Sequence, residues 1–276
     1  MYRFMELTDS LINQIKSLII KAGEVALKEK HLGLTIEYKN NDHSPVTSAD
    51  KKISDLIYDA LSTITPEIEV ICEERNPITL KNKSRFWLID PIDSTVSYIK
   101  GLEYYTINIA LIIDDVPILG FIYQPEKRKL YYTNIDNNLV IEQYNMVIST
   151  LNQQISRDKY IAITSANNFN QLTEDFLVHY SLNKVLHVPS SLKLCWIAEG
   201  IADVYPKFGD TMEWDIASGH ALIISTGGNI SNLNGIQVSY NKPHFKNHHF
   251  LAYSKRWYNR YINSNYTQCQ NTKDFI

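Results

Sequence analysis

Cysteine is scarce: three among 276 residues, Cys72, Cys195 and Cys269, far apart and without a Cys-x-x-Cys spacing. That argues against a disulfide scaffold and a structural zinc site, and it suits a reducing compartment. A basic excess is also missing, since 27 Lys and Arg face 30 Asp and Glu for a formal charge of -3. Sequence-independent binding of a nucleic-acid polymer needs such an excess, so no polymer partner is expected. Long hydrophobic runs are absent. The most apolar stretch, Ile107 to Tyr123, is interrupted by Asp114, Asp115 and Pro117, short of the roughly 18 to 20 apolar residues that cross a bilayer. No transmembrane segment is expected. The opening residues Met1 to Glu6 reach polar groups before any apolar block, so no secretory signal is expected. The expected location is cytoplasmic, with peripheral membrane association left open.

What is present is a 44% hydrophobic content, enough for a substantial core. The length makes one large domain or two fused lobes. Leu11, Ile15, Leu18, Ile19, Ala22, Val25 and Ala26 recur at helical spacing behind Thr8 to Ser10, and Ile53, Leu56, Ile57, Ala60, Leu61 and Ile64 repeat the pattern behind Thr47 or Ser48. Asp50 then falls in the first turn of that second helix. Strands are expected at Ile68 to Cys72, Phe86 to Ile89, Thr106 to Ile113, Pro117 to Tyr123 and Lys129 to Thr133, with Asp114-Asp115 as a hairpin. This describes an α+β lobe over residues 1–154. From 155 to 276 strands and helices alternate, with a helix from Trp214 to Ser225 closed by Gly227-Gly228 and a last short strand around Asn229 to Leu233, as in an α/β lobe with much parallel pairing. From His244 onward no period is visible.

The chemistry concentrates in carboxylates. In Trp87-Leu88-Ile89-Asp90-Pro91-Ile92-Asp93-Ser94-Thr95 an apolar strand runs into Asp90, Pro91 fixes a turn, and Asp93-Ser94-Thr95 opens a short helix. Such an arrangement suits a hard cation and a phosphate: carboxylates for Mg²⁺, and the backbone N–H groups of Ser94 and Thr95 for phosphate oxygens. Cys72-Glu73-Glu74 ends another apolar strand, and Glu213-Trp214-Asp215 starts an apolar helix. Taken singly these are turn, strand-end and helix-dipole residues. Taken together, each close pair would repel by about 4 kcal/mol at ~4 Å and an effective dielectric of 20, so a cluster needs cations.

Other features have plainer readings. His244, His248 and His249 read as a solvated tail, Gly227-Gly228 as a helix stop, and Cys195 as a buried thiol. Eighteen tyrosines against nine phenylalanines offer stacking surfaces for an adenine without identifying one.

Ser44-Pro45-Val46-Thr47-Ser48-Ala49-Asp50, Cys72-Glu73-Glu74, Asp90-Pro91-Ile92-Asp93-Ser94-Thr95 and Trp214-Asp215-Ile216-Ala217-Ser218-Gly219 resemble, in order, the lithium-sensitive, magnesium-dependent phosphatases of the inositol monophosphatase superfamily. Ser190-Ser191-Leu192-Lys193-Leu194-Cys195 and Val204-Tyr205-Pro206-Lys207-Phe208-Gly209 look most like its CysQ-type 3′(2′),5′-bisphosphate nucleotidase branch. The resemblance implies an α/β fold of layered α-β-α-β-α sugar-phosphatase type with the active site between the lobes. It implies two or three Mg²⁺ ions on Glu73, Asp90, the Ile92 carbonyl, Asp93 and Asp215. Asp50 and Thr95 match the pair that orients the attacking water. Ser94, Thr95, Ser190, Ser191 and Lys193 match substrate contacts. The implied reaction converts adenosine 3′,5′-bisphosphate to AMP and phosphate in sulfur assimilation, so the expected partner is a small phosphorylated nucleotide.

Three positions depart from the family pattern. Ser94 stands where glycine is usual and would be strained at a positive φ. Ile163 to Asn168 lacks a basic residue, and Pro189 replaces a glycine. An inositol or sugar monophosphatase, and a non-catalytic metal- or nucleotide-binding protein, stand as the alternatives.

Overall fold

In the computed structural model the described residues are 7–39, 43–75, 84–150, 158–165 and 170–262. Two helices, α1 (Asp9–Leu32) and α2 (Ser48–Ile64), flank a short hairpin of β1 (Ile36–Tyr38) and β2 (Pro45–Thr47). Thr8 caps α1, and Thr47 caps α2 in a reciprocal box with Asp50. A seven-stranded sheet follows in the order β3 (Glu69–Cys72), β4 (Arg85–Asp93), β5 (Thr106–Ile113), β6 (Val116–Gln124), β7 (Lys129–Thr133), β8 (Leu139–Gln143) and β9 (Met146–Thr150), with α3 (Thr95–Ile99) after β4. The β3–β4 pair is parallel and the rest is an antiparallel meander. Asp114 and Asp115 make the expected hairpin turn, both at positive φ.

Next come β10 (Ala162–Thr164), α4 (Gln171–His179), β11 (Val185–His187), α5 (Leu192–Ala198), β12 (Val204–Lys207), β13 (Thr211–Met212), α6 (Glu213–Ser225), β14 (Asn229–Ser231), β15 (Lys246–Asn247), β16 (Phe250–Tyr253) and α7 (Lys255–Trp257). The second sheet runs β11-β10-β12-β16-β14. Only its β11-β10-β12 half is parallel, because β16 lies antiparallel between β12 and β14. The segment read as a featureless tail thus supplies a central strand. The expected boundary at 154/155, the sequence 166–168 and Cys269 lie outside the described residues.

Alternation along the strands builds the layers. Trp87, Ile89, Ile107, Ile109 and Leu111 pack on α1 and α2, while Phe86, Leu88, Ala110 and Ile112 pack on α5 and α6. The other side of α5 and α6 meets Ile163, Tyr205, Phe250 and Ala252 of the second sheet, whose outer face carries Phe176 of α4 and Trp257 of α7. The order is therefore helix, sheet, helix, sheet, helix. Contact between α6 and β6 is close: a Cβ on Gly120 would stand 2.2 Å from the Ser218 carbonyl. Gly227, at φ 81, ends α6 with N–H bonds from Gly227 and Gly228 back to Ile224 and Ile223.

Candidate active site

The face of β4 that packs on α5 and α6 reads Phe86, Leu88, Asp90, so the same alternation that builds the core delivers a carboxylate at the strand's end. Pro91 does not make the turn expected from the sequence; it lies within β4, at the bulge. Asp90 pairs with Asn108 and Asp93 with Thr106, so one extra residue bulges between them. That bulge lets two acids three apart serve one region. α3 begins immediately after, with Ser94 at φ 72.

Asp215 arrives from the opposite side, in the first turn of α6, where its Oδ2 accepts the Met212 N–H at 2.8 Å. Asp50 repeats this device in α2: its Oδ2 accepts the Thr47 N–H at 2.8 Å and the Thr47 hydroxyl at 2.5 Å. The Thr95 hydroxyl lies 3.4 Å from Asp50 Oδ1 and 3.1 Å from the Ile92 carbonyl, to which it donates. Glu73 and Glu74 leave the end of β3 and share the Lys39 ammonium, at 2.6 and 2.8 Å. Glu213 is turned away, its carboxylate accepting the N–H groups of Asn241 and Lys242.

The acids sense one another. Burial, then Glu73, Asp93, Asp215 and Asp50, raises Asp90 well above the usual carboxylate range. Asp215 is raised by burial, then Asp93 and Glu73. Asp93 is raised by burial, against the pull of the Lys193 ammonium and the Ser191 N–H. Burial raises Asp50 against its bonds from Thr47, and burial with Glu73 pushes Glu74 up to about 7.

Among the described residues, no three acids, imidazoles or thiols stand closely enough to enclose one ion as placed. Lys39 neutralises one edge of the cluster, through Glu73 and Glu74. The residues nevertheless fit a hard cation: Asp90 Oδ1 is buried without a hydrogen-bond partner, and the nearby donors are carboxylate and carbonyl oxygens.

Opposite the acids lie cations. Lys193 is 8% exposed, donates to the Ser190 carbonyl at 2.7 Å and sits 5.3 Å above the Tyr205 ring. Burial lowers it to about 8, with the Lys207 charge acting in the same direction. Lys207, equally buried, shares a face of β12 with Tyr205 and is lowered by burial despite Asp215. Sequence reasoning did not single out Lys207; strand alternation from Tyr205 is the signal that could have found it. Ser190 stands at φ 59, and the Ser191 hydroxyl is engaged internally by Thr106 and Asn108. Ser94 Oγ pairs with Ser97 Oγ at 2.7 Å.

Residues 7–267 match the inositol monophosphatase family. The chain belongs to that family. It is 34% identical to the 3′(2′),5′-bisphosphate nucleotidase CysQ of Buchnera aphidicola over 83% of this chain and 87% of that one. It is 33% identical to the enzyme of the same name from Salmonella typhimurium, over 83% and 94%. Among solved structures, CysQ from Bacteroides thetaiotaomicron, a bacterial member of the inositol monophosphatase family, superposes with a TM-score of 0.77 at 28% identity, covering 92% of this chain and 99% of that one. Family membership agrees with the five layers. Among the described residues, no helix is long and apolar enough to cross a membrane.

Proposed function

We propose that this protein is a Mg²⁺-dependent phosphatase that removes the 3′-phosphate of adenosine 3′,5′-bisphosphate, giving AMP and inorganic phosphate. The observation that carries the reading is a group of buried and half-buried acids facing two buried lysines: one side suits cations, the other a second anionic group of the same substrate. The relatives named CysQ support the substrate class.

Glu73, Asp90, the Ile92 carbonyl, Asp93 and Asp215 would hold two or three Mg²⁺ ions. Bound there, Mg²⁺ would polarise the phosphoryl oxygens and acidify a water. The remaining roles belong to the chain. With the Ile92 carbonyl given over to a metal ion, the Thr95 hydroxyl would donate to Asp50 Oδ1, now 3.4 Å away, and its oxygen lone pairs would accept from the attacking water. Asp50, fixed by Thr47, holds Thr95 in that orientation. The backbone N–H groups of Ser94 and Thr95 would bind phosphoryl oxygens. Lys193 and Lys207, beside the turn at Ser190 and Ser191, would bind the phosphate that is not cleaved. The water oxygen bonds to phosphorus as the P–O3′ bond breaks, and the proton the water gives up balances the one the departing ribose oxygen takes on.

A phosphate-release panel over adenosine 3′,5′-bisphosphate, inositol monophosphates and sugar phosphates tests this. Release from the nucleotide should require Mg²⁺ and fall with Li⁺, and Lys207→Met should raise KM for the bisphosphate more than for a monophosphate. No turnover of the nucleotide under Mg²⁺ would overturn the reading.

A further inference from the structure

The end of β5 nearest the acids carries a run of buried hydrogen bonds. Its face toward α5 reads Thr106, Asn108, Ala110, Ile112, so apolar packing gives way to two polar side chains opposite Asp93 and Asp90. Thr106, Asn108 and Ser191 are all buried. The Ser191 hydroxyl donates to Asn108 Oδ1 at 2.8 Å. That donation spends its proton, so the 2.8 Å contact with Thr106 is a donation from Thr106. With its oxygen held by Ser191, Asn108 directs Nδ2 to Asp93 Oδ2 at 3.5 Å, and the Ser191 backbone N–H donates to the same oxygen. The donors therefore run one way, from Thr106 through Ser191 and Asn108 to Asp93. Both bonds fall on Oδ2, so Oδ1 is the oxygen they do not occupy.

We infer that Asn108 is a positioning residue for Asp93, and that through Ser191 it ties this carboxylate to the turn preceding Lys193. The inference rests on Asp93 as a Mg²⁺ ligand. An aspartate carboxylate rotates over a broad well about its last torsion, and two donors on one oxygen fix its plane. The same bonds anchor Ser191 beside Ser190, whose φ of 59 is one that serine resists. Asp93 and the lysine-bearing turn are thus set by one group of side chains.

Calorimetric titration with Mg²⁺ alone, on the wild type, Asn108→Leu and Ser191→Ala, tests this. Asn108→Leu should weaken Mg²⁺ binding by about 10 to 100-fold, as loss of a partner behind a metal ligand does. Ser191→Ala keeps the backbone N–H on Asp93 and should weaken binding in the same direction by a smaller factor. A purely structural role lowers the melting temperature and leaves Mg²⁺ affinity alone; folded Asn108→Leu within twofold of wild type overturns the inference. Should Asn108→Leu fail to fold, unchanged Mg²⁺ binding by Ser191→Ala overturns it equally. Phosphate release by the wild type is scored separately: its absence removes the phosphatase reading and leaves the Mg²⁺ comparison standing.

Discussion

Ser94 joins backbone strain to a proposed contact with phosphate. At φ 72 and ψ 55 it occupies the left-handed region, which costs an L-residue about 1 to 2 kcal/mol relative to the right-handed helix. Part of that is offset by its 2.7 Å hydroxyl contact with Ser97, whose side chain is buried. The conformation sets the start of α3 and so the position of Thr95. Ser94→Gly removes the strain and the hydroxyl contact together, while adding chain entropy to the unfolded state. Its unfolding free energy from a denaturant titration should therefore change by no more than about 1 kcal/mol, with phosphate release retained. Ser94→Val should lose about 2 kcal/mol, because a β-branched side chain is a genuine outlier at positive φ. Equal stability of the two variants would show that the turn does not demand this conformation.

At the level of elements, α6 does two jobs, presenting Asp215 from its first turn and burying His220 in its middle. His220 Nε2 donates to Asn229 Oδ1 at 2.8 Å, an oxygen already identified as the acceptor by the Ile230 N–H, and Nδ1 accepts from the Tyr240 hydroxyl at 2.9 Å. This neutral pairing is favoured by burial, which lowers the imidazole to about 4. Unfolded chains bind the proton near pH 6.5. Between those values the unfolded state holds more protons, so the contribution is complete above pH 6.5 and is lost as pH falls toward 4, about 3 kcal/mol in all. Urea unfolding at pH 7 and pH 5 should show a steeper loss in the wild type than in His220→Gln; parallel slopes would contradict the assignment.

Elements also differ in how plainly they are written. β5 and β7 are legible to the residue, bounded by turn chemistry and full of β-branched and aromatic side chains. β8 and β9 are not, because Tyr144 and Asn145 make their turn at positive φ and a tyrosine there gives no warning. β16 is four residues long and pairs with Val204 to Lys207, far away in sequence; pairing at that distance leaves no local period. In the site, Asp50, Asp90, Asp93 and Asp215 stand out through motifs at element ends. Asn108 and Lys207 lie within stretches that fit the family, but nothing local marks their own parts, since what gives them meaning is burial against a helix or strand that local sequence cannot place.

At the scale of the whole molecule, the five layers bring acids from both sheets' surroundings within electrostatic reach of one another. β3 and β4 supply Glu73, Asp90 and Asp93, α2 supplies Asp50, and α6, seated between the sheets, supplies Asp215. Folding therefore concentrates negative charge that the unfolded chain keeps apart, and a divalent ion binding only the folded state returns that cost. At a Mg²⁺ concentration 100 times its dissociation constant the gain is about 2.7 kcal/mol, or roughly 5 to 10 °C for a chain of this size. Melting followed by circular dichroism should rise by that amount with Mg²⁺ and not with KCl at equal ionic strength. Asp93→Asn should stay folded without Mg²⁺, because the attraction to Lys193 and the repulsion from the other acids are lost together, and should lose most of the Mg²⁺-dependent rise. If Mg²⁺ and KCl act alike on the wild type, the acids do not act as a divalent-ion site, and Lys39, Lys193 and Lys207 are the cations left to balance them.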